Sequence, residues 1–263
     1  MTEPLLMDKS HIEPVKTFLD EQYLKYCHSA FIEDDPIQIP HQFSQQQNVE
    51  IAGLLAATFA WGQRKTIIAK SNDLIRRLDG NPYDFVLNHS EADLKQLSGF
   101  RHRTFSDRDA LVFIEALAVI YRKYPTMDGF LAAHHVADPL GAIRVLRSIF
   151  AAVAAHHGTP QSLRHFANVD AGSAAKRVNM FFRWMVRSDR EGVDFGLWKS
   201  LTPSQLLIPL DLHVGNVSRE LGILHRRQND LKAVVELTAF LKLLDPADPV
   251  KYDFALFSLG VNA

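Results

Sequence analysis

The sequence predicts an all-α protein, and three observations predict it. Apolar residues recur at helical spacing in nearly every segment. Capping residues and prolines stand where helices should start. Alternating strand patterns and Asn-Gly hairpin turns are absent. With 263 residues and 47% hydrophobic composition, the chain can bury a sizeable core, as one large domain or two interleaved lobes. Helices of ~8–20 residues then number roughly ten or more.

The elements follow in order. "IAGLLAATFAW" (51–61) is apolar all round and reads as a fully buried helix. The next clear helix opens at Ser106 and Asp107 and repeats through Leu111, Ile114, Leu117 and Tyr121. Another has Asp138 in cap position, Pro139 at its first residue and Gly158 just past its end, with Ile143, Leu146, Phe150 and Val153 on one face. "SAAKRVNMFFRWMVR" reads as a helix of about four turns. "NDLKAVVELTAFLKLL" is capped by Asn229 or Asp230, and "DPVKYDFALFSLG" has Asp248, Pro249 and Gly260 as start and stop. The longest ambiguous connection, 192–209, separates the helix bearing Lys176 from the one that follows Asp211.

Composition narrows the function classes. One cysteine, Cys27, excludes an internal disulfide framework and a Cys-rich metal or iron–sulfur site. A formal charge of −1 does not advertise a nucleic-acid binder, although binding needs only a local basic surface. No apolar run reaches membrane-spanning length, and "MTEPLLMDKSHIEP" has no basic start followed by an apolar stretch. The expectation is a soluble cytoplasmic protein with no membrane partner. His134, His135, His156 and His157 come in pairs, but helical neighbours point apart and are not read as a metal site.

On a 3.6-residue period, Lys176, Met180, Arg183 and Arg187 share one helix face, with Val178, Phe181, Phe182 and Met185 on another. The first face reads as a basic stripe, widened by Arg177 and adjoined by Trp184. Either it is an ordinary solvated surface or it meets an anion. Lys176 falls in the first turn, where the helix dipole disfavours a cation, so something other than helix stability keeps it there. Neighbouring cations and partial desolvation are the usual means of making a lysine amine nucleophilic. Asp211, in "IPLDLHVGNVSRELGIL", stands before a helical pattern. It reads as a cap, as a catalytic carboxylate, or as both.

"PLDLHV" followed by "RELGIL" resembles the segment that carries the catalytic aspartate in DNA glycosylases of the helix-hairpin-helix superfamily, with a phosphate-facing histidine two residues on. Asp211 and His213 match those positions. "EIAGLLAATFAWGQRKTIIAKSNDLI" resembles the early buried helix of these enzymes, with Gln63 where a side chain faces the DNA stack. "KYDFALFSLG" resembles the C-terminal helix of the 8-oxoguanine branch, with Asp253 and Phe257 at pocket-lining positions. Over about its full length the chain also resembles a bacterial family of uncharacterised proteins within that superfamily. The stretches that carry this likeness are "SAAKRVNMFFRWMVR", "VDFGLWK", "LIPLDLHV" and "DPVKYDFALFSLG".

The resemblance implies a two-lobed helical fold with a cleft. One lobe spans 48–190 and carries Lys176; the other joins 1–47 to 202–263 and carries Asp211. It implies excision of a damaged or modified purine, such as 8-oxoguanine, from lesion-bearing double-stranded DNA, with a Lys176 Schiff base, Asp211 as the stabilising carboxylate and an associated AP-lyase step. Gln63, Arg64, Arg177, Arg183 and His213 would face nucleic acid, and Trp184, Asp253 and Phe257 would hold the base. No cofactor, metal or protein partner is implied. The chain departs from the pattern at "HFANVDAGSAAK", where a glycine-rich hairpin is expected and only Gly172 is present, and at Leu212, where a small or β-branched residue is more usual. The alternative is a non-catalytic member of the same fold that binds nucleic acid or a nucleobase.

Overall fold

Caps and prolines punctuate a succession of twelve α-helices in the computed structural model, which describes residues 9–262. The N-terminal reading of residues 1–8 lies outside the described residues. Helices α1 (Lys9–Tyr26) and α2 (Phe31–Asp34) lead through 3-10 turns at Pro36–Gln38 and Pro40–Gln42 to α3 (Gln46–Phe59). Then come α4 (Arg64–Arg77), α5 (Pro82–Asn88) and a minimal antiparallel ladder of β1 (Arg101–His102) and β2 (Phe105–Ser106), which the sequence did not announce. Helices α6 (Asp107–Tyr121), α7 (Met127–Ala133), α8 (Pro139–His156), α9 (Lys176–Val186), α10 (Leu212–Glu220), α11 (Leu231–Leu244) and α12 (Asp253–Asn262) complete the order.

The helix starts obey local chemistry. Ser106 and Asp109 form a capping box on α6, Asp138 accepts from Gly141 N ahead of Pro139, and Asp230, rather than Asn229, caps α11. Two boundaries differ from the sequence reading. α9 has 11 residues, about three turns, because Ala175 adopts a left-handed conformation and starts the helix late. Gly260 lies inside α12 instead of ending it, where a Cβ would stand 2.8 Å from His213 Cβ. It is there for close approach to α10.

α3 is buried on every face from Asn48 to Phe59. Its Glu50 accepts from Tyr121 Oη (2.7 Å), Met127 N (2.9 Å), Trp198 Nε1 (2.8 Å) and Gln46 Nε2 (3.0 Å). Burial still pushes the Glu50 carboxyl up, although each of these donors opposes the rise. One described helix, α8, is long and apolar enough to cross a membrane, at 18 residues and mean hydropathy 1.2. Arg144 and Arg147 interrupt it, and Ile143, Leu146 and Phe150 are buried in protein.

Two apolar cores form. The larger runs from Cys27 to Leu206 and takes in Val250 and Phe254. The smaller joins Val15 and Leu19 of α1 to Ile208, Leu210 and the inner faces of α10, α11 and α12. The sequence assignment of 1–47 to the second lobe is therefore corrected: α1 packs there, while Cys27, Ile37 and Ile39 belong to the larger core. Leu206 likewise sits in the larger core, so the change-over falls at 206–208.

Candidate functional site

The buried arginines of α9 explain how the two cores are held together. Arg183 bonds Asp253 of α12 and lies 3.3 Å from Asp194, at 3% exposure. Arg187 bonds Asp248 (2.8 Å), Asp194 (3.0 Å) and Tyr23 Oη of α1 (2.6 Å), at 2% exposure. Burial alone would lower the Arg183 pKa; the fields of Asp194, Asp253 and Asp35 together raise it. The expected basic stripe is thus not a surface. Arg183, assigned to nucleic acid, is an internal clamp, because carboxylates distant in sequence surround it. Trp184 is corrected too: it is fully buried in the larger core and does not line the cleft, so it holds no base there.

Between the cores lies a cleft of about 760 Å³. Lys176 and Asp211 both line it. Lys176 is the first residue of α9, held there by Ala175 at φ +50°, a conformation that costs a non-glycine residue about 1–3 kcal/mol. Asp211 is the N-cap of α10, its Oδ1 accepting from Val214 N at 3.0 Å. Its other oxygen, Oδ2, faces Lys176 Nζ at 3.7 Å, and the two side chains are 24% and 22% exposed. The residue that begins one helix on the larger core thus meets the cap of a helix on the smaller core. Lys176 Nζ also lies 3.6 Å from Met180 Sδ and 5.9 Å from the centre of the Phe257 ring.

The remaining expected residues divide. Phe257 lines the cleft, with Arg64 over its ring at 5.2 Å and His213 edge-on at 6.2 Å. His213 is exposed at the rim, and its Nδ1 pairs with Gly260 O at 2.7 Å. Asp253 lines the interior end, where burial pushes its carboxyl up to about 6 against the pull of Arg183. Arg177 lines the wall, but its guanidinium is committed to Thr58 O (2.6 Å), and burial lowers its pKa. Gln63 is exposed at the start of α4, between the lining residues Gly62 and Arg64, and does not line the cleft itself.

Among the lining residues that the sequence reading did not assign to the site are two aromatics and a carboxylate. Phe31 and Trp61 supply aromatic wall. Trp61 closes the segment 51–61 that the sequence presents as a fully buried helix, yet it stands just past the end of α3 with Arg103 over its ring at 4.4 Å. Asp35 is the carboxylate, at 8% exposure, and its only sequence signal was an Asp-Pro step of the kind that caps a turn. A second cavity of about 500 Å³ abuts the other side of Lys176 and Arg177, with Arg147, Arg164 and His165 in its lining. Among the described residues no carboxylate lines it, so of these two cavities it is the first that sets a lysine against an acid.

Fold and site define a helical protein with a Lys–Asp pair in an aromatic-walled cleft between two cores. The chain belongs to the family described as "Protein of unknown function (DUF2400)", which matches residues 35–262. No curated protein and no solved structure matches it.

Proposed function

We propose that the protein is a DNA glycosylase of the helix-hairpin-helix kind, with the two cores as its lobes, that excises a damaged or modified purine from double-stranded DNA. The observation that carries this reading is Lys176 Nζ at 3.7 Å from Asp211 Oδ2 inside the cleft. A cleft of about 760 Å³ is of the size that takes a small organic ring system. The target base must leave the stack to reach it, because its glycosidic bond is inaccessible within the duplex.

In this reading the Lys176 amine, once neutral, attacks C1′ as the glycosidic bond breaks. The base departs with the bonding electron pair and takes up a proton. Asp211 offsets the positive charge that builds on the sugar and accepts the proton released by the new ammonium. The sugar ring then opens to a Schiff base, and β-elimination expels the 3′ phosphate. Water hydrolyses the remaining imine and frees the lysine. Arg64 and His213 at the rim supply contacts for backbone phosphate.

Borohydride trapping tests the reading. The parent should form a covalent adduct with a lesion-bearing duplex. Lys176→Gln should form none while keeping DNA affinity within about tenfold, or ~1.4 kcal/mol. If the parent gives no adduct across a lesion panel, the second reading takes its place: a non-catalytic binder of nucleic acid or nucleobases. What favours that reading is the inward turn of Arg183 and Arg187, which leaves fewer cations for phosphate.

A further inference from the structure

The chain leading into α11 touches both halves of the Lys–Asp pair. Asn229 lines the cleft, and its Nδ2 donates to the Asp211 backbone O at 3.0 Å. Its Oδ1 accepts from Arg219 of α10 at 2.6 Å. These neighbours fix the orientation of the amide, because a guanidinium only donates and a carbonyl only accepts. Arg219 is anchored in turn, its Nε donating to Arg226 O at 2.9 Å. Two residues after Asn229, Leu231 N donates to Gly172 O at 3.0 Å. The segment 229–231 thus holds the Asp211 carbonyl and the carbonyl four residues ahead of Lys176. Asn229 is exposed and needs no protein partner to satisfy its amide, yet room is kept for it. A Cβ on Gly215 of α10 would stand 2.7 Å from Asn229 Oδ1, 2.8 Å from Arg219 Nη1 and 3.0 Å from Asn229 Nδ2. Glycine inside a helix is less stable than alanine, so at this position it serves the close seating of the amide.

We infer that Asn229 is a positioning residue, which fixes the backbone of Asp211 so that Oδ2 stands 3.7 Å from Lys176 Nζ. The inference rests on the glycosylase reading above and names the residue that holds its carboxylate in place. The cap bond from Val214 N and the bond from Gly215 N to Asp211 O both come from α10 itself and move with that helix. Neither relates Asp211 to Lys176. Asn229 ties the Asp211 carbonyl to a point outside α10, and Leu231 ties the same short segment to the chain that enters α9. The side chain acts through Asp211, and its effect is on geometry. Displacing a reacting group by about 1 Å costs on the order of 10²-fold in rate.

Single-turnover borohydride trapping on a lesion duplex, with duplex affinity measured by fluorescence anisotropy, tests the inference in two uncharged variants. Asn229→Ala removes the donor. Gly215→Ala leaves Asn229 in the chain and pushes its amide away from Asp211 O; only side-chain ends have to move, so the melting temperature should not fall. Circular dichroism checks that both are folded. At saturating enzyme each should trap roughly 10- to 100-fold more slowly than the parent, with duplex affinity within about threefold. A cycle with Asp211→Asn identifies the route. Without the carboxylate there is nothing for Asn229 to position, so Asn229→Ala should slow Asp211→Asn by less than about threefold further. Parent-like trapping in either folded variant, or the full loss repeated on top of Asp211→Asn, overturns the role of Asn229 and leaves the glycosylase reading standing. If the parent gives no adduct across a lesion panel, the glycosylase reading falls and the inference falls with it.

Discussion

Asparagine in place of Asp211 separates the two things that this residue does. As N-cap it accepts from Val214 N at 3.0 Å, which contributes about 1 kcal/mol, and asparagine caps about as well. The charge is the part that asparagine lacks. At the 3.7 Å separation from Lys176, a charge pair in an effective dielectric of about 20 interacts by roughly 4 kcal/mol. Solvent at the two partly exposed side chains screens that figure, so the pair contributes ~0–1 kcal/mol to folding. A melting temperature within about 4 °C of the parent follows. Catalysis responds differently, because the carboxylate acts on charge that develops in the transition state. Losing one fixed electrostatic group of that kind costs on the order of 10²–10³ in rate, or ~2.7–4 kcal/mol. Thermal melts and single-turnover borohydride trapping with a lesion duplex measure the two effects on one preparation. Asp211→Ala should lose the same rate and a further ~1 kcal/mol of stability. Were Asp211→Asn to trap as fast as the parent, Asp211 would be a cap alone and the binding reading would be preferred.

Further outcomes follow from the buried charges and close contacts. Arg183→Met leaves Asp253 buried without its arginine, while Asp194 keeps Arg187, so it should destabilise by about 3–5 kcal/mol in urea unfolding, in contrast to the near-neutral effect of removing a surface stripe residue. Asp253 has a folded pKa of about 6 against an ordinary 3.8. Its raised pKa contributes stability that is fully present below 3.8 and is lost as pH rises through about 6. Melting curves of the parent and Asp253→Asn, compared between those two pH values, should show a steeper decline with rising pH in the parent; the opposite slope would contradict the burial argument. Gly260→Ala places a Cβ 2.8 Å from His213 Cβ and 3.0 Å from His213 O, so α12 must shift away from α10. The expected cost is ~1–3 kcal/mol in unfolding, with a drop in trapping rate because α10 carries Asp211 at its start.

Local chemistry was legible in the sequence. The all-α class, the helix opening at Ser106 and Asp107, the Asp138–Pro139 start of α8 and the first-turn position of Lys176 each depend on residues within about one helical turn, and each stands as read. Asp211 as a helix cap was likewise legible. Its pairing with Lys176 rested on family resemblance, since no local rule links residues on two different helices, and the folded chain brings them to 3.7 Å. Tertiary structure alone decided where α9 faces. Periodicity separates one face of a helix from another, but it does not reveal which face meets solvent. Asp194, Asp248 and Asp253 neutralise Arg183 and Arg187 and turn an apparent basic surface into a buried clamp between two cores. The same packing buries Trp184 and brings Asp35 to the cleft. Charge and burial at those positions depend on partners supplied by distant parts of the chain, so only the assembled fold settles them.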